Sequence, residues 1–371
     1  MHLILSLFYF SYFSLVGVYV MFMPKALVGF EYSASEIGLI YAAAPMMRFF
    51  LPFIFKHYIK LTNNIFNVAL LLTLVASLLF LQTVHSFWLH FIANLLLGAS
   101  MGITLPFVET ISLQQLSKKM YGKIRLWGSV GFIVISQLLG KIILPTPSET
   151  LYTLVVTAFF TLIFGLVTLQ YDQHQEESSQ ENDSQFSLQR YWAFWVSIFL
   201  MQVAFAGFYT FFTIYQESHG MSSQTISDFW TFSVLCEIVM LYFQGSLLQK
   251  NLLTLLKFAT LITAFRWLLL YLYPDSVGIT YFGQSLHAIS FALYHTASIS
   301  YVFSLYSQKR LAQQFFLGIS FGLGGSIGSF IAGYIYGEQL FLFESIITLG
   351  AFIMLFVHDK RQKNTQKLTQ K

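Results

Sequence analysis

The chain has 371 residues, of which 56% are hydrophobic, 18% aromatic and only 10% charged, with a formal net charge of +4. A soluble domain carries about 25% charged residues, so a water-facing globular protein is excluded, and the mean hydropathy of +0.65 points to a polytopic membrane protein. Its basic residues are dispersed, which argues against nucleic-acid binding, and its single cysteine, Cys236, leaves no intrachain disulfide to form.

A membrane helix takes about 20 mostly apolar residues. Runs of that kind predict six helices at about 3–23, 36–55, 63–83, 88–111, 125–144 and 150–170, and six more at 191–215, 225–247, 252–272, 277–304, 312–336 and 340–357. The first begins at once with MHLILSLFYFSYF. Without a basic start or a small-residue cleavage site, it reads as a retained helix rather than a signal peptide. The one long polar stretch, YDQHQEESSQENDSQFSLQR, has no apolar period and reads as a flexible linker. The expected organisation is a six-helix half over 1–170, a cytoplasmic linker over 171–190, a second six-helix half over 191–358 and a cytoplasmic tail over 359–371. The fold class is therefore all-α: twelve transmembrane helices in two halves, the form of a transporter built from parallel repeats.

Lys and Arg in short loops set orientation. With the N-terminus inside, 16 of the 20 basic residues fall on the inner side and only Lys25 and Lys141 on the outer side. That bias predicts an inner-membrane protein with both termini cytoplasmic. Helices five and eleven hold equivalent places in the halves and are both glycine-rich. Helix eleven carries Gly318/Gly322, Gly324/Gly328 and Gly333/Gly337 at four-residue spacing, which suits close helix packing or a sliding surface.

Charges inside the bilayer are costly and tend to face a cavity or one another. Arg48, Glu109, Arg125, Glu237, Arg266, His287 and His295 fall inside helices, while Asp228 and Glu344 sit near outer ends and read as solvated end residues. Glu237, in FSVLCEIVMLYF, is the sharpest candidate for a proton-binding carboxylate. Arg266 keeps its charge and needs a partner, either Glu237 or a substrate carboxylate. His287 and His295 lie two turns apart on one face and lack a third ligand at metal spacing, so no metal site is proposed and no cofactor is called for. Arg48, between Pro45 and Pro52, either lines the cavity at a helix bend or snorkels to the interface. Arg125 either pairs with Glu109 in the cavity or anchors at the interface. Of 68 aromatic residues, Tyr9, Tyr12, Tyr19, Tyr209 and Trp230 are the candidates to line the cavity.

The run VETISLQQLSKKMYGKIRLWGSVGF resembles the helix four–five region of lactose permease and its relatives in the major facilitator superfamily. The resemblance implies that Glu109 and Arg125 form a charged pair at the substrate site. It also places Glu237, Arg266 and His287 at the family's helix-eight Glu, helix-nine Arg and helix-ten His. RFFLPF, YTFFTIYQESHG, CEIVMLYF and FGLGGSIGSFIAG are most similar to the phenylpropionate permease branch, close to the nucleoside:proton symporters. The departures are Ser290 at the family's acidic position after the helix-ten His, Gln284 at its Lys, Gln202 as the main polar group of helix seven, and Ile59 or a neighbour in place of the Asp after helix two.

These features imply a secondary transporter working by alternating access, with proton symport as the implied driving mode. Three arginines against two glutamates in the cavity suit a small aromatic or other organic acid. Sugar or nucleoside symport and uncoupled facilitation are the alternatives, and a receptor or a membrane enzyme is a distant third. The expected partners are a small solute, protons and lipid, with the monomer as the working unit.

Overall fold

The computed structural model describes residues 1–57, 62–171 and 187–369. Twelve long helices run through it: α1 His2–Gly29, α2 Ala34–His57, α3 Asn63–Thr83, α4 Phe87–Gln115, α5 Met120–Ile143 and α6 Pro147–Tyr171 in the first half. The second half holds α7 Gln189–Ser218, α8 Ser223–Phe243, α9 Leu252–Leu272, α10 Val277–Leu305, α11 Leu311–Ile335 and α12 Leu340–Asn364. Eleven of these are apolar and long enough to cross a membrane. The twelfth, α2, is a 24-residue helix that carries Arg48 and runs unbroken through Pro45 and Pro52.

Short polar side chains start these helices, because the first N–H groups of a helix have no backbone partner. Thr62, Ser117, Ser222, Asn251 and Ser276 each accept from the N–H three residues on, and Thr146 with Glu149 forms a capping box at α6. The Ser117 cap corrects one boundary. Helical backbone begins at Lys118, just ahead of the apolar span given for α5 and well before 125, so Arg125 lies two turns inside it. A second correction concerns the end of the chain. Helical backbone continues past 357 and beyond the apolar span given for α12, to Thr369, and Lys257 Nζ donates to Asp359 Oδ2 at 2.6 Å, tying the part after 357 to α9. Most of the expected linker (172–186), Ile59 and Lys60 lie outside the described residues.

Even-numbered crossings put both chain ends on one side, here called the terminal side; the opposite face is the far side. The halves meet along two seams, α2 against α11 and α5 against α8. The first seam depends on glycine. A Cβ on Gly333 would stand 2.6 Å from the Ala34 carbonyl oxygen and 2.7 Å from Gly38 Cα, and one on Gly322 would stand 2.9 Å from Phe49 Cα. Two of the expected glycine pairs each face one neighbour, Gly318 and Gly322 at Phe49 of α2 and Gly324 and Gly328 along α7 at Phe199 and Val203, while the third pair is split. Gly337 lies in the turn beyond α11. Gly318–Gly324 is a π-helical stretch.

Polar contacts between the halves cluster at the far side. Lys25 pairs with Glu217 at 2.5 Å and Lys141 with Asp228 at 2.7 Å. Gln137 Nε2 donates to the Ser227 carbonyl, Asp228 Oδ1 and Thr231 Oγ1. Asp228 is thus part of a closure between α5 and α8, not a solvated helix end. Toward the terminal side, the Phe132–Trp230 ring contact at 6.2 Å is followed by Arg125 and Glu237, whose side chains keep 30% and 22% exposure. The molecule is closed on the far side and cleft on the terminal side.

The far-side ion pairs are partly exposed, so each is worth about 0.2–1 kcal/mol. Lys141→Ala or Asp228→Ala shifts the closed state toward opening by roughly twofold to fivefold. The charge-swapped double variant restores closure. Thiol labelling of a cysteine placed at Ser136 reads both, and equal labelling in all variants would show that the pair does not hold the far side shut.

Candidate functional site

Arg125 stands on the first wall of the cleft. Its Nε donates to Glu109 Oε1 at 3.1 Å, and its guanidinium lies over the rings of Phe13 at 4.2 Å and Tyr9 at 5.3 Å. The sequence around it explains the pose. Gly131 lies so close to the Phe10 backbone that any Cβ would collide, which brings α5 against α1. One turn after Arg125, a Cβ on Gly128 would stand 2.7 Å from the Phe13 ring and 3.0 Å from Arg125 Nη1. These two glycines make room for the guanidinium to fold back onto the aromatic face of α1. The side chain is held by a carboxylate and two rings, with the Tyr121 hydroxyl beside it. Tyr9, expected to line the cavity, is fully buried, and its hydroxyl donates to Ser112 Oγ at 3.1 Å. It is the bed of Arg125, not an exposed contact. Arg48 is exposed, beside Gly102, and acts electrostatically on Tyr12 and Tyr19.

The second wall carries Glu237 and His287. Glu237 Oε2 lies 3.8 Å from His287 Nε2. On the other side of the ring, Arg266 Nη1 donates to His287 Nδ1 at 3.0 Å. A guanidinium can only donate, so Nδ1 is the acceptor, the imidazole is neutral, and its proton sits on Nε2, pointing at Glu237. Arg266 thereby sets the tautomer that Glu237 meets. The charged group acting on Glu237 from across the cleft is Arg125.

The expected Glu237–Arg266 pair is not formed. Arg266 has no exposed surface and contacts no carboxylate among the described residues. It donates to Gln284 Oε1 at 2.8 Å and Ser290 Oγ at 3.2 Å, and lies 4.5 Å from the Phe208 ring and 4.6 Å from the Trp267 ring. Neutral dipoles and π-faces solvate it inside the second half. Trp230, also expected at the cavity, is 2% exposed and donates from Nε1 to Thr213 Oγ1 at 3.1 Å. Its ring packs on Phe208, Phe212 and Tyr209 above the cleft.

His287 and His295 share a face, as their spacing requires, but Phe291 stands between them. Its ring is parallel to His287 at 5.0 Å and to His295 at 6.1 Å. This stack falls on the π-helical stretch Ala288–Leu293, a distortion common at functional sites. Gln202, Phe205, Ser290 and His295 line a small pocket beside it. Phe13 and Phe291 escaped sequence reasoning, although each lies four residues from a residue already singled out, Tyr9 and His287. Glu344 was misplaced outright. It is 2% exposed and buried against α7, not solvated.

The comparisons with known proteins agree with this architecture. The sequence model described as the "MFS_1 like family" matches residues 2–345. A probable 3-phenylpropionic acid transporter of Escherichia coli (strain K12) is 24% identical over 367 residues, covering 94% of this chain and 96% of that protein. Among solved structures, the nucleoside transporter NupG superposes with a TM-score of 0.80 at 16% identity, covering 97% of this chain and 99% of that one. The human organic anion transporter MFSD10 (TETRAN) gives 0.66 at 15% identity, covering 95% and 98%. With twelve helices, two facing halves and a charged cleft between them, the chain belongs to the MFS_1-like family of the major facilitator superfamily and is a multi-pass membrane transporter of small molecules, not an enzyme.

Proposed function

We propose that the protein is a proton symporter for a small organic anion with an aromatic body, working as a monomer in the inner membrane with both termini cytoplasmic. Residues 1–170 and 191–358 are then the two moving halves, and the state described is inward-facing. The charge count of the cleft carries this reading. With Arg266 sealed inside the second half, the charges of the cleft on this reading are those of Arg48, Arg125, Glu109 and Glu237. The sum is zero when Glu237 is ionised and positive by one when it is protonated. An anion therefore enters a matched site only after the proton, and each ligand raises the affinity for the other by the same factor. Arg125 is the anion's contact, the Phe13 and Phe291 faces suit an aromatic body, and Glu237 with the Nε2–H of His287 is the proton site. The name of the Escherichia coli relative points to the same substrate class.

The test is uptake of 3-phenylpropionate by proteoliposomes under an imposed pH gradient. Wild type accumulates the probe above its external concentration. Glu237→Gln still exchanges it across the membrane but accumulates none. Accumulation by Glu237→Gln sinks the proton-site assignment, and wild type that only equilibrates the probe is a facilitator.

A further inference from the structure

Glu344 is the carboxylate that this mechanism leaves unused. It lies in the second turn of α12, and neither Oε1 nor Oε2 has a hydrogen-bond partner among the described residues. Glycine makes the space it fills: a Cβ on Gly207 of α7 would collide with Oε1, beside the Ala332 methyl of α11. The groups that act on it are few. α9 presents Arg266 and α7 the Phe208 backbone N–H, while Tyr209 of α7 acts on Arg266. A buried carboxylate that accepts no well-formed hydrogen bond and makes no ion pair is strongly disfavoured in its ionised form. Arg266 does not relieve it by contact, because its guanidinium is turned to Gln284, Ser290 and His287. That guanidinium is itself under-coordinated, with Nε unpartnered, as are Gln284 Nε2 and Thr280 Oγ1 one turn above it.

We propose that Glu344 is a second proton-binding site, protonated while the far side is closed and ionised when that side opens, with Arg266 as the group that swings between it and His287. It rests on the proton-coupled reading above. When the far side admits water, the carboxyl O–H bond breaks and the proton passes to that water. Arg266 leaves His287 Nδ1 and pairs with the carboxylate. Freed of its donor, His287 is no longer held in the tautomer that points Nε2–H at Glu237. Protonation of Glu344 reverses each step. Occupancy of Glu344 thus reaches Glu237 through one guanidinium and one imidazole, and the coupling is reciprocal.

Two measurements test this on the full-length protein. Protons carried per 3-phenylpropionate, counted in proteoliposomes, fall by one in Glu344→Gln, while exchange of the probe at equal pH persists. In infrared spectra, a carboxylic acid without hydrogen bonds gives a distinct high-frequency C=O stretch. That band is present in wild type and in Glu237→Gln, absent from Glu344→Gln, and is lost as pH rises in protein whose far side is opened by Gly333→Leu. An unchanged proton count in Glu344→Gln, a band that never titrates, or no such band in wild type overturns the proposal. Should Glu344→Gln fail to fold, the infrared titration of Glu237→Gln decides alone. Wild type that moves the probe without protons defeats the symport reading, and the infrared titration still decides whether Glu344 binds a proton.

Discussion

Arg125→Ala lowers the affinity for 3-phenylpropionate by about tenfold to hundredfold, the worth of a hydrogen bond to a charged group of about 1.5–3 kcal/mol. The substitution removes the cleft's best-held donor and leaves Glu109 facing the anion unopposed. Two further variants separate these effects. Arg125→Ala with Glu109→Gln removes the repulsion but restores only part of the affinity, because the donor is still missing. Arg125→Lys keeps the charge but loses the planar fork and the stacking on Phe13, seen at 4.2 Å, and binds between wild type and Arg125→Ala. Equilibrium binding to detergent-solubilised protein reads all three. Equal affinity in wild type and Arg125→Ala would return Arg125 to the role of an interfacial anchor.

Gly333→Leu strongly disfavours the closed far side. The first added carbon already meets backbone on α2, the Ala34 oxygen at 2.6 Å and Gly38 Cα at 2.7 Å. Backbone cannot rotate away as a side chain can, so the helices must part. Overpacking a tight contact costs about 1–3 kcal/mol, which moves the equilibrium between closed and open far side by roughly fivefold to 150-fold. Turnover falls accordingly, since a transporter held open on one side cannot return. Labelling of a cysteine placed at Ser227, in a Cys236→Ser background, rises in step. Gly350→Leu is the control. A Cβ there meets only the Leu200 side chain at 3.7 Å, and both labelling and turnover stay near wild type. If Gly333→Leu transports normally, the α2–α11 seam does not close during the cycle.

Twelve crossings were legible because the bilayer imposes one length and one composition on every helix. The charged residues inside those helices were legible too, because each stands out against apolar neighbours. Arg125 with Glu109 was found by motif and spacing. The two lie 16 residues apart on consecutive helices, and a short connection brings such helices side by side.

Partner choice in the second half was not legible. Arg266 and Glu237 stand on consecutive long helices, yet Arg266 reaches Gln284, His287 and Ser290 of α10 instead. A linear sequence records which groups are charged, but not which way each helix is turned about its axis. Small rotations choose between a carboxylate and a cluster of neutral dipoles. The same applies to Asp228 and Glu344, which look alike near the outer ends of their helices. One is turned to α5 and closes the far side with Lys141, while the other is turned to Gly207 and buried without a donor. Hydropathy sets how deep a residue lies in the membrane. Packing around the glycines sets what it faces, and for a carboxylate that is the difference between a latch and a proton site.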